Sequence, residues 1–257
     1  MYKRVEFISN TNGIVFQHDF ETQLAWDTPV ATVNMLPVSD YFIQGTHSGK
    51  LENDENAISL AIDGFTIGEQ YEALIYVLPI ESSPMLKFYE SNTNTGIVSW
   101  ISLEQYKWNV VYFQWSASGN TQDIVIETTG DATKYRFDAL TVINRSSIIH
   151  SFDINPSDIE YPKTPYATKV VYNGAVVYQE YSANNLIHSM SWNGVYHQKY
   201  MNKTISFIRY NAGNVVYMRD GSIMGFPLFT KIRILDINYS VRGDLYSDIV
   251  FRFSREV

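Results

Sequence analysis

The run WNVVYFQWSA, residues 108–117, decides the fold class of this 257-residue chain. Every second position of its centre, from Val111 to Trp115, carries a large apolar side chain, with Tyr112 and Gln114 in between. Successive side chains of a β-strand point to opposite faces, so the apolar set suits a core and the polar set the other face. A Ser-Gly-Asn turn and the run DIVI (123–126) follow, which predicts a β-hairpin.

The same period of two recurs along the chain, for example in AISLAI (57–62) and KIRILDI (231–237), whereas helical periodicity does not. Aromatic residues make up 15% of the chain and charged residues only 18%, a balance that favours strands. The clearest hairpin joins KVVY (169–172) to AVVY (175–178) through an Asn-Gly turn at 173–174. The sequence therefore predicts an all-β protein.

A domain boundary is predicted near residue 148. The alternating run from Tyr135 to Ile143 ends there, and prolines at positions 156, 162 and 165 follow. Proline lacks the amide donor that a central strand needs, so this stretch should run outside any sheet. We predict a first domain over residues 1–148 and a second, smaller β-sandwich or barrel-like domain over residues 149–257.

Charge and composition argue against several classes of partner. Residues 1–150 contain 8 Lys and Arg against 18 Asp and Glu, and residues 151–257 contain 11 against 9, so the halves carry about −10 and +2. Phosphate binding relies on Lys and Arg clusters, which predicts no nucleic-acid partner. The chain has no cysteine and no apolar run of membrane-spanning length, which predicts no disulfide and no membrane insertion.

Motifs of catalysis are missing from the sequence. It contains no nucleophile elbow, phosphate loop or dinucleotide fingerprint, and its five histidines lack metal-ligand spacing. Most acidic residues of the first half fall in turns and insertions. We therefore predict a protein that is not an enzyme. A glycosidase needs two carboxylates across a cleft, which spacing along a chain cannot reveal, so a small polysaccharide-active enzyme stays open as an alternative.

Five segments of the first half resemble, in order, the carbohydrate-binding modules of the family 4/9/22-like type. The segments are DFETQLAW (19–26), THSGK with ISL (46–50 and 58–60), YEALIYV (71–77), WNVVYFQWSA with DIVI (108–117 and 123–126), and YRFDALTV (135–142). The resemblance covers residues of about 5–143. It implies a jelly-roll β-sandwich that binds sugar without cleaving it.

Strand parity then predicts one open aromatic face. Side chains on the face opposite the core would stack on sugar rings or bind their hydroxyls. This candidate carbohydrate-binding set is Tyr76, Lys87, Tyr89, Trp100, Tyr112 and Gln114. The alternative is that these aromatics are cross-strand packing pairs, or that a neighbouring subunit covers them. Trp26, by position, is predicted to fill the core.

The resembling modules also hold a structural calcium ion. The glutamate of their opening motif and the aspartate of their closing strand correspond here to Glu21 and Asp138. Two carboxylates joined by the fold could supply part of the oxygen shell that Ca²⁺ requires. The alternative is that Glu21 is a surface carboxylate and Asp138 an acceptor for backbone N–H groups.

The second half holds 11 of the 19 tyrosines, and its stretch SWNGVYHQKYMNKTISF (191–207) resembles bacteriophage tail and baseplate proteins. A tyrosine-rich, nearly neutral sheet is typical of buried subunit interfaces. We therefore predict a non-catalytic virion structural protein of the tail, baseplate or capsid decoration, assembled in the host cytoplasm and released by lysis. Its first domain would bind a host-surface polysaccharide, and its second domain would dock onto other virion proteins in an oligomeric assembly.

Two further alternatives stay open at this point. The chain could be an accessory polysaccharide-binding module, or a structural assembly protein whose jelly roll has lost sugar binding.

Overall fold

The computed structural model describes residues 5–28, 32–43, 45–52, 56–80, 82–160, 167–172, 175–180, 187–221 and 226–256. The chain divides into two compact units. The first comprises the described parts of Thr11–Ile148 and Gly221–Leu228, and the second comprises those of Lys3–Asn10, Ile149–Asp220 and Phe229–Val257. Both are built mainly from strands, so the protein is all-β, as the period of two predicts.

The described strands and helix follow in chain order. They are β1 (Val5–Ile8), β2 (Ile14–His18), β3 (Leu24–Asp27), β4 (Thr32–Val38), β5 (Ser48–Leu51), β6 (Ala57–Asp63), β7 (Gln70–Pro79), β8 (Met85–Glu90), β9 (Thr95–Ser102), β10 (Asn109–Ser116), β11 (Thr121–Thr128), β12 (Tyr135–Asn144), β13 (Ile148–Ser151), β14 (Asp158–Glu160), β15 (Ala167–Tyr172), β16 (Ala175–Glu180), β17 (Ile187–Trp192), β18 (Tyr196–His197), α1 (Gln198–Tyr210), β19 (Val215–Asp220), β20 (Thr230–Arg242) and β21 (Leu245–Arg255).

The first unit is one antiparallel sheet in the order β10-β7-β12-β5-β4-β3-β6-β11-β8-β9, with β2 added beside β12. The sheet folds over so that its two halves share one core. Phe88 of β8 and Phe113 of β10 come from opposite ends of the strand order, yet their ring centroids lie 4.9 Å apart. The predicted two-layered β-sandwich is the result, and Trp26 is buried in it.

Strand parity assigns the core side chains correctly. In β7, Ala73, Ile75 and Val77 point into the shared core. In β9, Ile97 and Ile101 pack against that core, while Val98 and Trp100 are exposed. Burial of large apolar side chains on one face stabilises the sandwich and fixes the strand register, because a shift by one residue would exchange the two faces.

A glycine at position 96 allows β9 to lie close to β8. Gly96 has a φ of +135°, and a Cβ atom there would be 2.8 Å from the carbonyl oxygen of Phe88 and 2.8 Å from the Phe113 ring. Any other residue would clash with this backbone, so glycine is required for the β8–β9 pairing. That pairing matters because β9 carries Trp100.

The second unit contains a sheet in the order β13-β1-β19-β20-β21-β17-β14, in which β18 also pairs with β21. Strands β15 and β16 form the predicted hairpin, with Tyr172 opposite Ala175, whereas its turn at 173–174 lies outside the described residues. Of the predicted proline-rich boundary, residues 161–166 also lie outside them.

Helix α1 was not predicted from the sequence. Its buried residues Met201, Ile205 and Ile208 do follow helical spacing, but the Asn, Thr, Ser and Phe residues between them are weak helix formers. Packing stabilises the helix instead, since Phe207 lies 5.0 Å from Phe7 and 4.4 Å from His150, measured between ring centroids. None of the helices in the described part of the chain is both long and apolar enough to cross a bilayer.

Strand β1 corrects the predicted domain limits. The sequence predicts a first domain over residues 1–148, yet β1 pairs with β19 in the second unit, with Val5 opposite Asp220. Its four residues are buried, and Glu6 forms a fully buried ion pair with Arg219. Removing a charge from water is costly unless it is paired, so this register is strongly specified. The pairing is between residues 213 positions apart, which local pattern cannot reveal.

Candidate functional site

Three of the predicted sugar-binding residues meet on the outer face of the sandwich. Trp100 on β9 keeps 40% of its surface exposed. The ammonium nitrogen of Lys87, on the neighbouring strand β8, lies 4.5 Å from the centroid of the Trp100 ring, within cation–π range. Tyr89 lies two residues further along β8 and is half-buried. The face thus presents an indole and a phenol on adjacent strands.

A carboxylate that the sequence analysis did not select joins these side chains. Glu127 of β11 stands opposite Lys87 in the strand register. Its Oε2 accepts a hydrogen bond from Lys87 Nζ at 2.6 Å, and its Oε1 accepts one from Tyr89 Oη at 2.6 Å. Charge-assisted bonds of this length are strong. Both carboxylate oxygens are therefore used within the site.

The pKa values of this cluster follow from the same bonds. Burial, with the hydrogen bond to Glu127 and its negative charge, raises the pKa of Tyr89 to about 12. For Glu127, burial alone would raise the pKa, but the hydrogen bonds from Lys87 and Tyr89 and the Lys87 charge lower it below its ordinary value. At neutral pH, Glu127 is a carboxylate and Tyr89 a phenol that donates to it.

A shallow cleft of about 310 Å³ continues this face across the sheet. Its lining residues are Asp27, Thr28, Ala57, Ile58, Ser59, Tyr89, Ser91, Asp123 and Val125. The register sets Asp27 against Ser59, Ser59 against Val125, and Val125 against Tyr89, so these four form a row across β3, β6, β11 and β8. With strands about 4.8 Å apart, the distance from β3 to β9 is about 19 Å.

The cleft has small side chains on its floor and acceptors at its sides. Ser59 and Val125 leave room above the sheet, while Asp27 and Asp123 bring carboxylates. Asp27 Oδ1 accepts a hydrogen bond from Thr32 Oγ1 at 3.0 Å, whereas the Asp123 carboxylate has no hydrogen-bond partner among the described residues. The arrangement offers a stacking surface at one end and hydroxyl-binding groups at the other.

A larger cleft of about 450 Å³ lies where β9 leads into β10, but the polar side chains of Glu104, Lys107 and Asn109 in its lining are already engaged. Asn109 Nδ2 donates to the carbonyl oxygens of Glu104 and Lys107, and its Oδ1 accepts from the Glu104 N–H. The side chains of Glu104 and Lys107 pair with each other at 2.6 Å. These bonds hold a turn together, so we do not assign the binding site to this cleft.

The other three predicted site residues lie on the opposite layer. Tyr112 on β10 is exposed, at 41%. Gln114 is also exposed and donates from Nε2 to the buried Glu72 carboxylate at 2.8 Å, a carboxylate that Arg145 also contacts. Their strand, β10, lies at the opposite end of the strand order from β9, which carries Trp100.

Tyr76 was wrongly predicted to be open to solvent. Strand parity correctly places Tyr76 on the face of β7 opposite the main core, but a second group of apolar side chains packs on that face. Leu74, Tyr76, Ala139 and Leu228 form a second buried cluster, and Tyr76 has no exposed surface. Parity gives the side of the sheet to which a residue points, and it cannot tell whether another segment packs there.

Glu21 and Asp138 both accept hydrogen bonds from the loop that contains Ile43, Thr46 and His47. Glu21 accepts hydrogen bonds from the backbone N–H groups of Thr46 and His47, from Thr46 Oγ1 at 2.8 Å, and it contacts His47 Nδ1 at 3.1 Å. Asp138 Oδ2 accepts from the Ile43 N–H at 2.7 Å. These donors engage both oxygens of Glu21, and the described residues contain no cluster of three or more His, Cys, Asp or Glu side chains that could hold a metal ion. Calcium binding by Glu21 and Asp138 stays a prediction.

The hydrogen bonds to Glu21 also explain its acidity. Burial would raise the pKa of this carboxyl, yet the bonds from Thr46 and His47 lower it to about 2. Burial is the largest single influence on this pKa, and the hydrogen bonds to the charged form together outweigh it.

Four residues of the site were not predicted from the sequence: Asp27, Ser59, Asp123 and Glu127. Parity in β6 and β11 places Ser59, Asp123 and Glu127 on the outer face, so a signal was present. The strand order, in which β3, β6, β11 and β8 follow one another across the sheet, could not be read from the local sequence pattern.

Comparison with known proteins gives architectural similarity only. The sequence matches no family model and no curated protein. Solved structures with a similar arrangement include carbohydrate-binding modules. The CBM22-1 xylan-binding domain of Paenibacillus barcinonensis Xyn10C is 20% identical, with a TM-score of 0.40, over 51% of this chain and 95% of that one.

Two further structures are of the same kind. The C-terminal family 22 carbohydrate-binding module of Clostridium thermocellum Xyn10B is 17% identical, with a TM-score of 0.42, over 55% of this chain and 99% of that one. The CBM35 of Cellvibrio japonicus Abf62 is 14% identical, with a TM-score of 0.37, over 50% of this chain and 92% of that one. Identities and scores this low carry no argument about ligands, so any function must be argued from this chain's own side chains.

Proposed function

We propose that the first unit binds a polysaccharide, without cleaving it, along the outer face that runs from Trp100 to Asp27. The observation that carries this proposal is the exposed Trp100 ring beside Lys87, on the face that continues through Tyr89 into a cleft with carboxylates and hydroxyls. Sugar rings have apolar C–H faces that stack on aromatic rings, and hydroxyl groups that donate to carboxylates. An open, shallow face suits a chain of sugars, which can enter and leave at both ends.

The charge of the face favours a neutral ligand over an anionic one. Lys87 is paired with Glu127, and the cleft lining includes Asp27 and Asp123 but no Lys, Arg or His among its described residues. An anionic chain would meet repulsion at these carboxylates. The hydroxyl groups of a neutral sugar would instead donate hydrogen bonds to these carboxylates.

Affinity electrophoresis in gels containing soluble xylan or hydroxyethyl cellulose tests the proposal. Replacement of Trp100 by Ala should weaken retention about 30-fold in Kd, since truncation of a central aromatic contact costs about 2 kcal/mol. Asp123→Ala should also weaken it. The matched control is Tyr210→Ala, which removes an 86% exposed aromatic ring from the second unit. Retention of Trp100→Ala equal to that of the unmodified chain would sink the proposal.

A polysaccharide-active enzyme is a second candidate, because Asp27 and Asp123 line the same cleft. Two carboxylates across a cleft are the usual requirement for glycoside hydrolysis. An assay for reducing sugars released from both polysaccharides separates the two functions. We expect retention without release, and release that Asp27→Asn or Asp123→Asn abolishes would establish the enzyme instead.

The virion setting stays a prediction, as does the docking role of the second unit. Exposed apolar side chains of that unit support an interface, among them Val195, Tyr200, Tyr210, Val241 and Leu245. Immunogold labelling of purified particles would test the setting, and the genes next to its own would test it independently.

A further inference from the structure

We propose that Glu127 is a positioning residue of the sugar-binding face, which fixes Tyr89 directly and fixes Trp100 through Lys87. The inference rests on the proposed function, since it assigns a role within that same site. Glu127 would not touch the polysaccharide stacked on Trp100. It would hold the groups that do in one arrangement before the ligand arrives.

The register gives Glu127 its central position. It lies on β11 opposite Lys87 of β8, and Tyr89 is the next outward residue of β8. Each of its oxygens takes one donor, Oε2 from Lys87 Nζ and Oε1 from Tyr89 Oη, both at 2.6 Å. A single carboxylate therefore fixes the ends of two long side chains on a neighbouring strand.

Lys87 carries this constraint to the next strand. Its ammonium group lies 4.5 Å from the centroid of the Trp100 ring, on β9. A free lysine side chain samples many rotamers, but the bond to Glu127 keeps the charge over the ring. The ammonium covers one face of the indole, and the 40% exposure of Trp100 leaves ring surface open to a ligand.

Burial separates this pair from an ordinary surface ion pair. The side chains of Lys87 and Glu127 are 22% and 21% exposed. Those of Lys107 and Glu104, which pair at the same distance of 2.6 Å, are 70% and 66% exposed. Exposed pairs contribute little because water screens them and the side chains stay mobile. The Lys107–Glu104 pair is thus a matched control for the effect of removing one charge.

Preorganisation should appear in the affinity. A site whose side chains are already ordered loses less conformational entropy on binding. We expect Glu127→Gln and Lys87→Met each to raise the Kd for xylan or hydroxyethyl cellulose about five-fold, equivalent to about 1 kcal/mol. The double variant should bind about as well as either single variant, because both remove the same constraint. Glu104→Gln should leave the Kd unchanged.

A second measurement reports on Trp100 without any polysaccharide. In the full chain labelled with 5-fluorotryptophan, the ¹⁹F resonance of Trp100 is identified by its loss in Trp100→Phe. Glu127→Gln and Lys87→Met should shift and broaden this resonance, as the ring gains rotamers and loses the nearby charge. Glu104→Gln should leave it in place. A mere loss of stability would not move it while the other resonances of the folded chain stay unchanged.

The outcomes separate the two proposals. If the unmodified chain binds and Trp100→Ala does not, yet Glu127→Gln binds as before with an unshifted resonance, the positioning role is overturned and the function stands. Tighter binding by Lys87→Met would also overturn it, because Lys87 would then compete with sugar for the ring. If the unmodified chain binds neither polysaccharide, the proposed function fails, and the ¹⁹F measurement still decides whether Glu127 fixes Trp100.

Discussion

Acidification should destabilise the second unit through two histidines that are held neutral. His188 is only 6% exposed and stacks on Phe253, with 5.4 Å between ring centroids. Burial, together with the positive charge of Arg255, lowers its pKa to about 4. His150 stacks on Phe207 at 4.4 Å, and burial lowers its pKa to about 4, although the Asp153 charge acts in the opposite direction.

The sign and size of the effect follow from proton linkage. The unfolded chain titrates each histidine near 6.5, so between pH 6.5 and pH 4 it binds more protons than the folded chain. The two histidines therefore do not reduce the free energy of unfolding above pH 6.5, and they lower it progressively as the pH drops towards 4. With a folded pKa of about 4, the loss at pH 5 is about 2 kcal/mol for each histidine.

Urea unfolding at pH 8 and pH 5 measures this loss. Trp192 is the only tryptophan in the second unit, and its ¹⁹F resonance after 5-fluorotryptophan labelling follows that unit alone. With a slope near 2 kcal/mol per molar, each histidine should move the midpoint by about 1 M.

Matched variants show whether these two side chains are the cause. His188→Gln and His150→Gln should each remove about half of the shift in the urea midpoint. His197→Asn is the control, since His197 is exposed and caps helix α1, where asparagine serves equally well. A midpoint that falls as much in the double histidine variant as in the unmodified chain would refute the reasoning.

Three further predictions concern anchors of the fold. Millimolar calcium, or a chelator, should leave the melting temperature of the first unit unchanged, because donors already engage the oxygens of Glu21; a rise of several degrees with calcium would support the predicted calcium site instead. Gly45→Ala should cost about 1–3 kcal/mol in urea unfolding, since its φ is +75° and a Cβ atom would lie 1.9 Å from Glu21 Oε1; an unchanged midpoint would contradict this. Glu6→Ala should destabilise the second unit by about 3–5 kcal/mol, because it removes the carboxylate that pairs with buried Arg219, and a loss below 1 kcal/mol would argue against a specified pair.

Strand parity predicts which residues of the candidate site point outward, and this part of the site could be read from the sequence. Lys87, Tyr89 and Trp100 alternate with core residues in their own strands, and they do lie on the outer face. Parity is a local property of an extended backbone, so it can be read from the sequence. Glu127 and Asp123 were equally readable as outward residues, but nothing local marks them as neighbours of Lys87 and Tyr89.

What the sequence by itself determined was the class of structure: strands with one apolar face, a tryptophan in the core, and a set of outward aromatic side chains. The tertiary structure alone decided which outward residues meet, because sheet order and cover depend on pairings between distant segments. For that reason Tyr76 is buried in a cluster with Leu228, and β1 lies beside β19. Such pairings form between segments that are far apart in the sequence. The period-two pattern within one strand tells which face its side chains occupy, and it carries no information about which strands become its neighbours.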